Sequence, residues 1–203
     1  MALVVVGGHT RNVGKTSVVC GIIAALREMS WTAMKITQYG HGICSNDGQP
    51  CGCATDDHSW SISEESDGSG ETDSSRFLVA GASPVWWVRT QQGRLAEAMP
   101  AIRRTLANAE NAILESNSIL RFLKPDLYLT VLDPGVADFK SSAQEFLDRA
   151  DAVLLCSGSG QNAWQQVSLK PVEKKPTFRL RPPEFITEEI VDFVRGTLSS
   201  LRV

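Results

Sequence analysis

The chain has 203 residues, 42% of them hydrophobic, with a formal net charge of -3. That is enough apolar material for one sizeable core, so a single domain over 1–203 is expected, and the slight acidity excludes a sequence-independent grip on nucleic acid, which needs a basic surplus. No apolar run approaches the roughly 20 residues of a membrane span, and no basic segment precedes the short apolar stretch at the N-terminus. Five cysteines, with Cys20 and Cys156 isolated in apolar segments, do not make a secreted disulfide framework. A cytoplasmic protein with neither membrane nor nucleic-acid partner is expected.

The first element is a strand from Ala2 to Val6, whose unbroken aliphatic run reads as buried on both faces. GGHTRNVGKTS, Gly7 to Ser17, follows and leads into helical spacing from Lys15 to Met29. Gly14-Lys15-Thr16 thus opens a helix directly after a buried strand. The unpaired N–H groups of that helix end can ring a phosphate, Lys15 adds a full charge, and the Thr16 hydroxyl can reach Mg²⁺. The usual spacing puts a glycine five positions before Gly14, where His9 stands; counted from Gly8, five residues separate the two glycines. The next strand, Thr32 to Thr37, carries Lys35 near its end.

From Tyr39 to Asp73 no strand or helix pattern is legible, and a long loop insertion over 39–73 is expected, metal-binding or partly disordered. Its second half, SWSISEESDGSGETDSS, cannot bury enough apolar surface to offset its ordering entropy. Its first half holds His41, Cys44, Cys51, Cys53 and His58, a spacing that matches no standard zinc finger. Three thiolates and an imidazole would satisfy tetrahedral zinc, an iron–sulfur cluster is another option, and a reactive loop without metal is the bland reading.

Strands follow at Val85 to Thr90, Ala112 to Glu115, Leu127 to Leu132, Ala152 to Cys156 and Thr177 to Leu180. Helical spacing covers Arg94 to Ala109, where Pro100 predicts a kink or a fresh start, then Ser142 to Ala150 and Thr187 to Leu198. Thr187 is the expected N-cap, with Glu188 and Glu189 where the helix dipole favours acid. The alternation predicts an α/β three-layer sandwich with a mostly parallel central sheet. Ligands of such sheets bind at the carboxyl ends of the strands, where Lys35 and Glu115 fall. No asparagine-lysine-any-aspartate follows Ala152 to Cys156, leaving Gln161 and Asn162 as base contacts and the choice of ATP or GTP open. Trp86 and Trp87 read as core and interface rather than as a stacking platform.

The loop Gly8-His9-Thr10-Arg11-Asn12-Val13-Gly14-Lys15-Thr16 resembles that of dethiobiotin synthetase and its cobyrinate-amidase relatives, which keep five residues between the glycines. Met34-Lys35-Ile36-Thr37 is similar to both dethiobiotin synthetase and the molybdopterin-guanine-dinucleotide biosynthesis accessory protein B, and DSSRFLVAGA, Asp73 to Ala82, to the latter. Ala112 to Ser116, AILES, ends a strand in a glutamate where both families carry an acid near the metal, although both place glycine next and this chain has Ser116-Asn117-Ser118.

The resemblance, which covers about the first 120 residues, implies a P-loop NTPase fold. It implies a nucleotide site of Gly8, Arg11, Asn12, Val13, Gly14, Lys15, Thr16 and Ser17, with Mg²⁺ on Thr16, Asp73 and Glu115. Lys15, Lys35 and Glu115 are the implied catalytic groups. A Mg-dependent NTP-binding protein or NTPase, an accessory factor in molybdopterin-type cofactor biosynthesis with an unidentified small-molecule or protein partner, is the leading expectation. The alternatives are an ATP-dependent ligase or kinase acting on a small carboxylate, and a metal-binding interaction module with a vestigial nucleotide site. A homodimer is implied by the same relatives.

Overall fold

The computed structural model describes residues 1–40, 59–157, 164 and 167–201. One eight-stranded sheet runs through it: β1 Ala2–Gly8, β2 Trp31–Tyr39, β3 Trp60–Glu64, β4 Val85–Gln91, β5 Asn111–Glu115, β6 Leu127–Leu132, β7 Ala152–Cys156 and β8 Thr177–Leu180. The spatial order is β3-β4-β2-β5-β1-β6-β7-β8, so β1 lies inside the sheet between β5 and β6. Every pairing is parallel except β3 with β4. Strands buried on both faces need helices on both, and these are α1 Lys15–Ala25, α2 Asp73–Ala80, α3 Leu95–Leu106, α4 Ser141–Glu145 and α5 Glu188–Ser200.

Side-chain alternation divides the interior into two cores. Val4, Val6, Ala33, Ile113, Leu129 and Leu154 pack with α1, α2 and α5 on one face, while Leu3, Val5, Met34, Leu114 and Tyr128 pack with α3 and the short helical turns on the other. The result is the three-layer α/β sandwich expected from the sequence.

The differences from expectation are local. β3 lies inside the stretch read as a continuous loop, because an edge strand paired on one side, Trp60-Ser-Ile-Ser-Glu64, buries too little to stand out among serines and acids. α2 was illegible as a helix because eight residues give too few repeats; a reciprocal cap between Thr72 and Ser75 defines its start. Pro100 sits within one continuous α3, where it and Ala96, whose carbonyl it deprives of a donor, are both exposed, so water can satisfy that group. The helix expected over Ser142 to Ala150 divides into α4 and a 3₁₀ turn at Leu147–Arg149. Thr187 holds the N-cap position of α5, but its side chain makes no cap hydrogen bond.

Candidate functional site

The β1 ladder continues one residue past Gly8, as the His9 amide donates to Val131 O at 3.2 Å. From Thr10 to Val13 the chain crosses over to α1. Asn12 takes a left-handed φ of 57° and Gly14 one of 93°, the latter at the N-cap of α1. Gly14 is required on two counts: its conformation disfavours a side chain, and a Cβ there would lie 2.0 Å from the Phe185 ring. No side chain caps α1, so its first amides point outward as an anion site. Val13 is buried in the core, whereas Arg11 and Asn12 are exposed at the loop's tip. Lys15 curls back over the loop, its Nζ donating to Thr10 O at 2.5 Å. Burial pushes its ammonium pKa down to about 8, with Lys35 and Lys140 adding to the fall and Glu115 and Asp73 opposing it.

Three elements converge beside Thr16. β5 delivers Glu115, only 3% exposed, whose Oε2 accepts from Thr16 Oγ1 at 2.8 Å. β2 delivers Lys35, whose Nζ stands 2.5 Å from Glu115 Oε1, 2.7 Å from Asp73 Oδ2 at the start of α2, and 3.5 Å from Thr16 Oγ1. Burial pushes the Asp73 carboxyl up, but the hydrogen bond and charge of Lys35, with help from Thr16 and Arg76, hold it below the usual carboxylate range. The three oxygen donors expected to bind magnesium therefore already surround one positive charge. A hydroxyl and two carboxylates fit a hard divalent cation that keeps waters for its other positions. Arg76 Nη2 reaches Ser17 Oγ at 3.0 Å and joins α2 to α1.

Sequence reasoning missed the parts that hold the loop from behind. Asn117, two residues past the Glu115 that ends β5, accepts from the Gly8 amide at 2.9 Å and donates to the Gly8 carbonyl at 2.7 Å. The unusual Ser116-Asn117-Ser118 after the strand-end glutamate was the available signal, and its middle residue is a clamp on the last residue of β1. His9 is fully buried, edge-on to Trp164 and tilted against Phe139. His9 Nε2 and Trp164 Nε1 share Val136 O, at 3.3 and 2.7 Å, while Thr10 Oγ1 donates to Asp138 and the Lys140 amide to His9 O. The residue that departs from the usual glycine is a plug that fastens the loop after β6 to the phosphate loop.

Burial pushes the His9 pKa down to about 4, with the charge of Lys15 acting in the same direction. The folded protein thus resists taking a proton that the unfolded chain accepts near pH 6.5. The stability His9 contributes is complete above that pH and falls by roughly 3 kcal/mol as pH drops toward 4. Denaturant unfolding of the wild type against His9→Phe should show this acid-side difference; parallel pH curves would refute it.

His41, Cys44, Cys51, Cys53 and His58, with Gln161 and Asn162, lie outside the described residues. Trp86 packs against the α3-side core, and Trp87 donates to Thr37 Oγ1 at 3.2 Å while the Arg89 guanidinium covers its ring. No helix among the described residues is long and apolar enough to cross a membrane.

No protein-family model and no curated protein matches the chain. Among solved structures it is similar to LpxK from Aquifex aeolicus in complex with ATP, at 19% identity and a TM-score of 0.49 over 88% of this chain and 53% of that one. It thus spans about half the length of that protein. It is also similar to HypB from Helicobacter pylori in complex with nickel, at 12% identity and a TM-score of 0.46 over 96% of this chain and 86% of the other. A third is MobB from Bacillus subtilis, at 15% and 0.40 over 97% and 98%. By its own strand order, its β1–loop–α1 unit and the Gly14-Lys15-Thr16 turn at the head of that helix, the chain has the P-loop NTPase fold.

Proposed function

We propose that the chain binds a nucleoside triphosphate with Mg²⁺ and acts as an NTPase serving molybdopterin-type cofactor assembly. The observation that carries the nucleotide reading is the convergence of Lys15, Thr16, Lys35, Asp73 and Glu115 at the uncapped start of α1. In this reading the amides of Gly14 to Ser17 accept the phosphates, and Lys15 leaves Thr10 O to neutralise the β and γ oxygens. Thr16, Asp73 and Glu115 would hold the magnesium, directly or through water, and the bound ion supplies charge that draws electron density from the phosphates. The Arg76–Ser17 contact keeps α2, and with it Asp73, aligned with α1. The assembly role rests on the resemblance in the loop, at Lys35 and over Asp73 to Ala82.

A ligase or kinase is the second reading. It is favoured by Lys35, whose amine 3.5 Å from Thr16 Oγ1 is within reach of a terminal phosphate and of an anionic acceptor beside it. Calorimetric titration with non-hydrolysable ATP and GTP analogues in Mg²⁺ tests both. Saturable GTP binding in preference to ATP is expected for the assembly role, and ATP preference with carboxylate-dependent turnover would move the assignment to the ligase. Binding of neither would overturn the nucleotide reading.

A further inference from the structure

The Lys35 ammonium stands where a divalent cation would have to stand. Its contacts are the oxygens that suit such an ion: Glu115 Oε1 at 2.5 Å, Asp73 Oδ2 at 2.7 Å and, more distantly, Thr16 Oγ1 at 3.5 Å. Its side chain is 15% exposed and that of Glu115 4%, so water screens the inner pair little. The two carboxylates are balanced by the two ammoniums of Lys15 and Lys35. A free divalent ion entering this space meets an ammonium it must displace and leaves the pocket with surplus positive charge. A nucleotide brings negative charge with the ion and offers Lys35 a phosphate oxygen in place of the carboxylates.

We propose that Lys35 is a positioning residue that doubles as a competing cation: it holds Thr16, Asp73 and Glu115 assembled while denying them to a divalent ion that arrives alone. Metal entry is thereby coupled to nucleotide entry, and the exchange swings the Lys35 amine from the carboxylates toward the phosphates. The second half rests on the nucleotide reading above; the exclusion of free metal does not.

The experiment is a titration of the full chain with Mn²⁺ alone, followed by its electron paramagnetic resonance signal, in the wild type, Lys35→Met, Glu115→Gln and Lys35→Met/Glu115→Gln. Little Mn²⁺ should bind to the wild type at this pocket. Lys35→Met, which removes the competing charge next to two carboxylates, should bind it on the order of tenfold more tightly or better, and Glu115→Gln should abolish the gain. A merely structural lysine would not improve metal affinity when removed. Equal Mn²⁺ affinity in the wild type and Lys35→Met would overturn the proposal. So would tight Mn²⁺ binding by the wild type that Glu115→Gln removes, an arm that holds whether or not Lys35→Met folds. If Lys35→Met folds only with Mn²⁺ present, the ion has replaced the ammonium, as expected. Failure of the nucleotide reading would appear instead as absent nucleotide binding with this Mn²⁺ pattern intact.

Discussion

Lys15→Ala should weaken binding of a Mg-nucleotide by about a hundredfold or more while leaving thermal stability close to that of the wild type. The lysine is the one full charge carried by the phosphate loop's helical start, and a charge-assisted contact to phosphate in a desolvated site is among the strong polar interactions. Its contribution to the fold is small by comparison: it donates a single hydrogen bond, to Thr10 O, and burial already works against its charge. Removing it relieves that desolvation at little structural cost. Calorimetry with the analogue and a thermal melt separate the two effects. Unchanged affinity would show that the loop is not the nucleotide site.

Gly7→Ala should be among the most destabilising single-methyl changes in the chain, by about 3 kcal/mol. Gly7 lies in β1, and a Cβ there would come within 2.2 Å of Asn117 Oδ1, 2.8 Å of the Tyr128 hydroxyl and 2.9 Å of its ring. Tyr128 is 1% exposed and packed in the α3-side core, so its ring has no room to retreat. Asn117 can retreat only by releasing the Gly8 amide and carbonyl. The methyl group therefore trades a strand clash against two lost hydrogen bonds at the last turn before the phosphate loop. Urea unfolding measures the stability, and nucleotide titration of the folded fraction should also show weakened binding, because Gly8 leads directly into that loop. A variant as stable as the wild type would mean that Asn117 does not clamp Gly8 in solution.

The positions where sequence reasoning succeeded and failed differ in the range of their interactions. The aliphatic run before Gly7, the glycine-lysine-threonine turn and the strand-end position of Glu115 are signals carried within a few residues, and all were legible, whereas Lys35, expected near the end of its strand, stands in the middle of β2, which runs on to Tyr39. β3 and α2 were not, because a half-buried edge strand and a two-turn helix carry too little periodicity to rise above a polar composition. His9 looked like a deviation in spacing and proved to be a buried plug whose partners, Val136, Phe139 and Trp164, lie more than 120 residues away. Asn117 likewise acts on Gly8 across 109 positions.

The sequence by itself determined the α/β alternation, the phosphate-loop signature and the glutamate that ends β5, because backbone period, glycine conformation and local charge are properties of neighbouring residues. Only the tertiary structure decided that Lys35 lies between Asp73 and Glu115 rather than in solvent, that Thr16 donates to Glu115, and that Asn117 and His9 brace the loop from behind. Those contacts depend on which strands become neighbours in the order β2-β5-β1-β6. That order is set by the joint packing of two cores against one sheet, a property that no single segment of the chain contains.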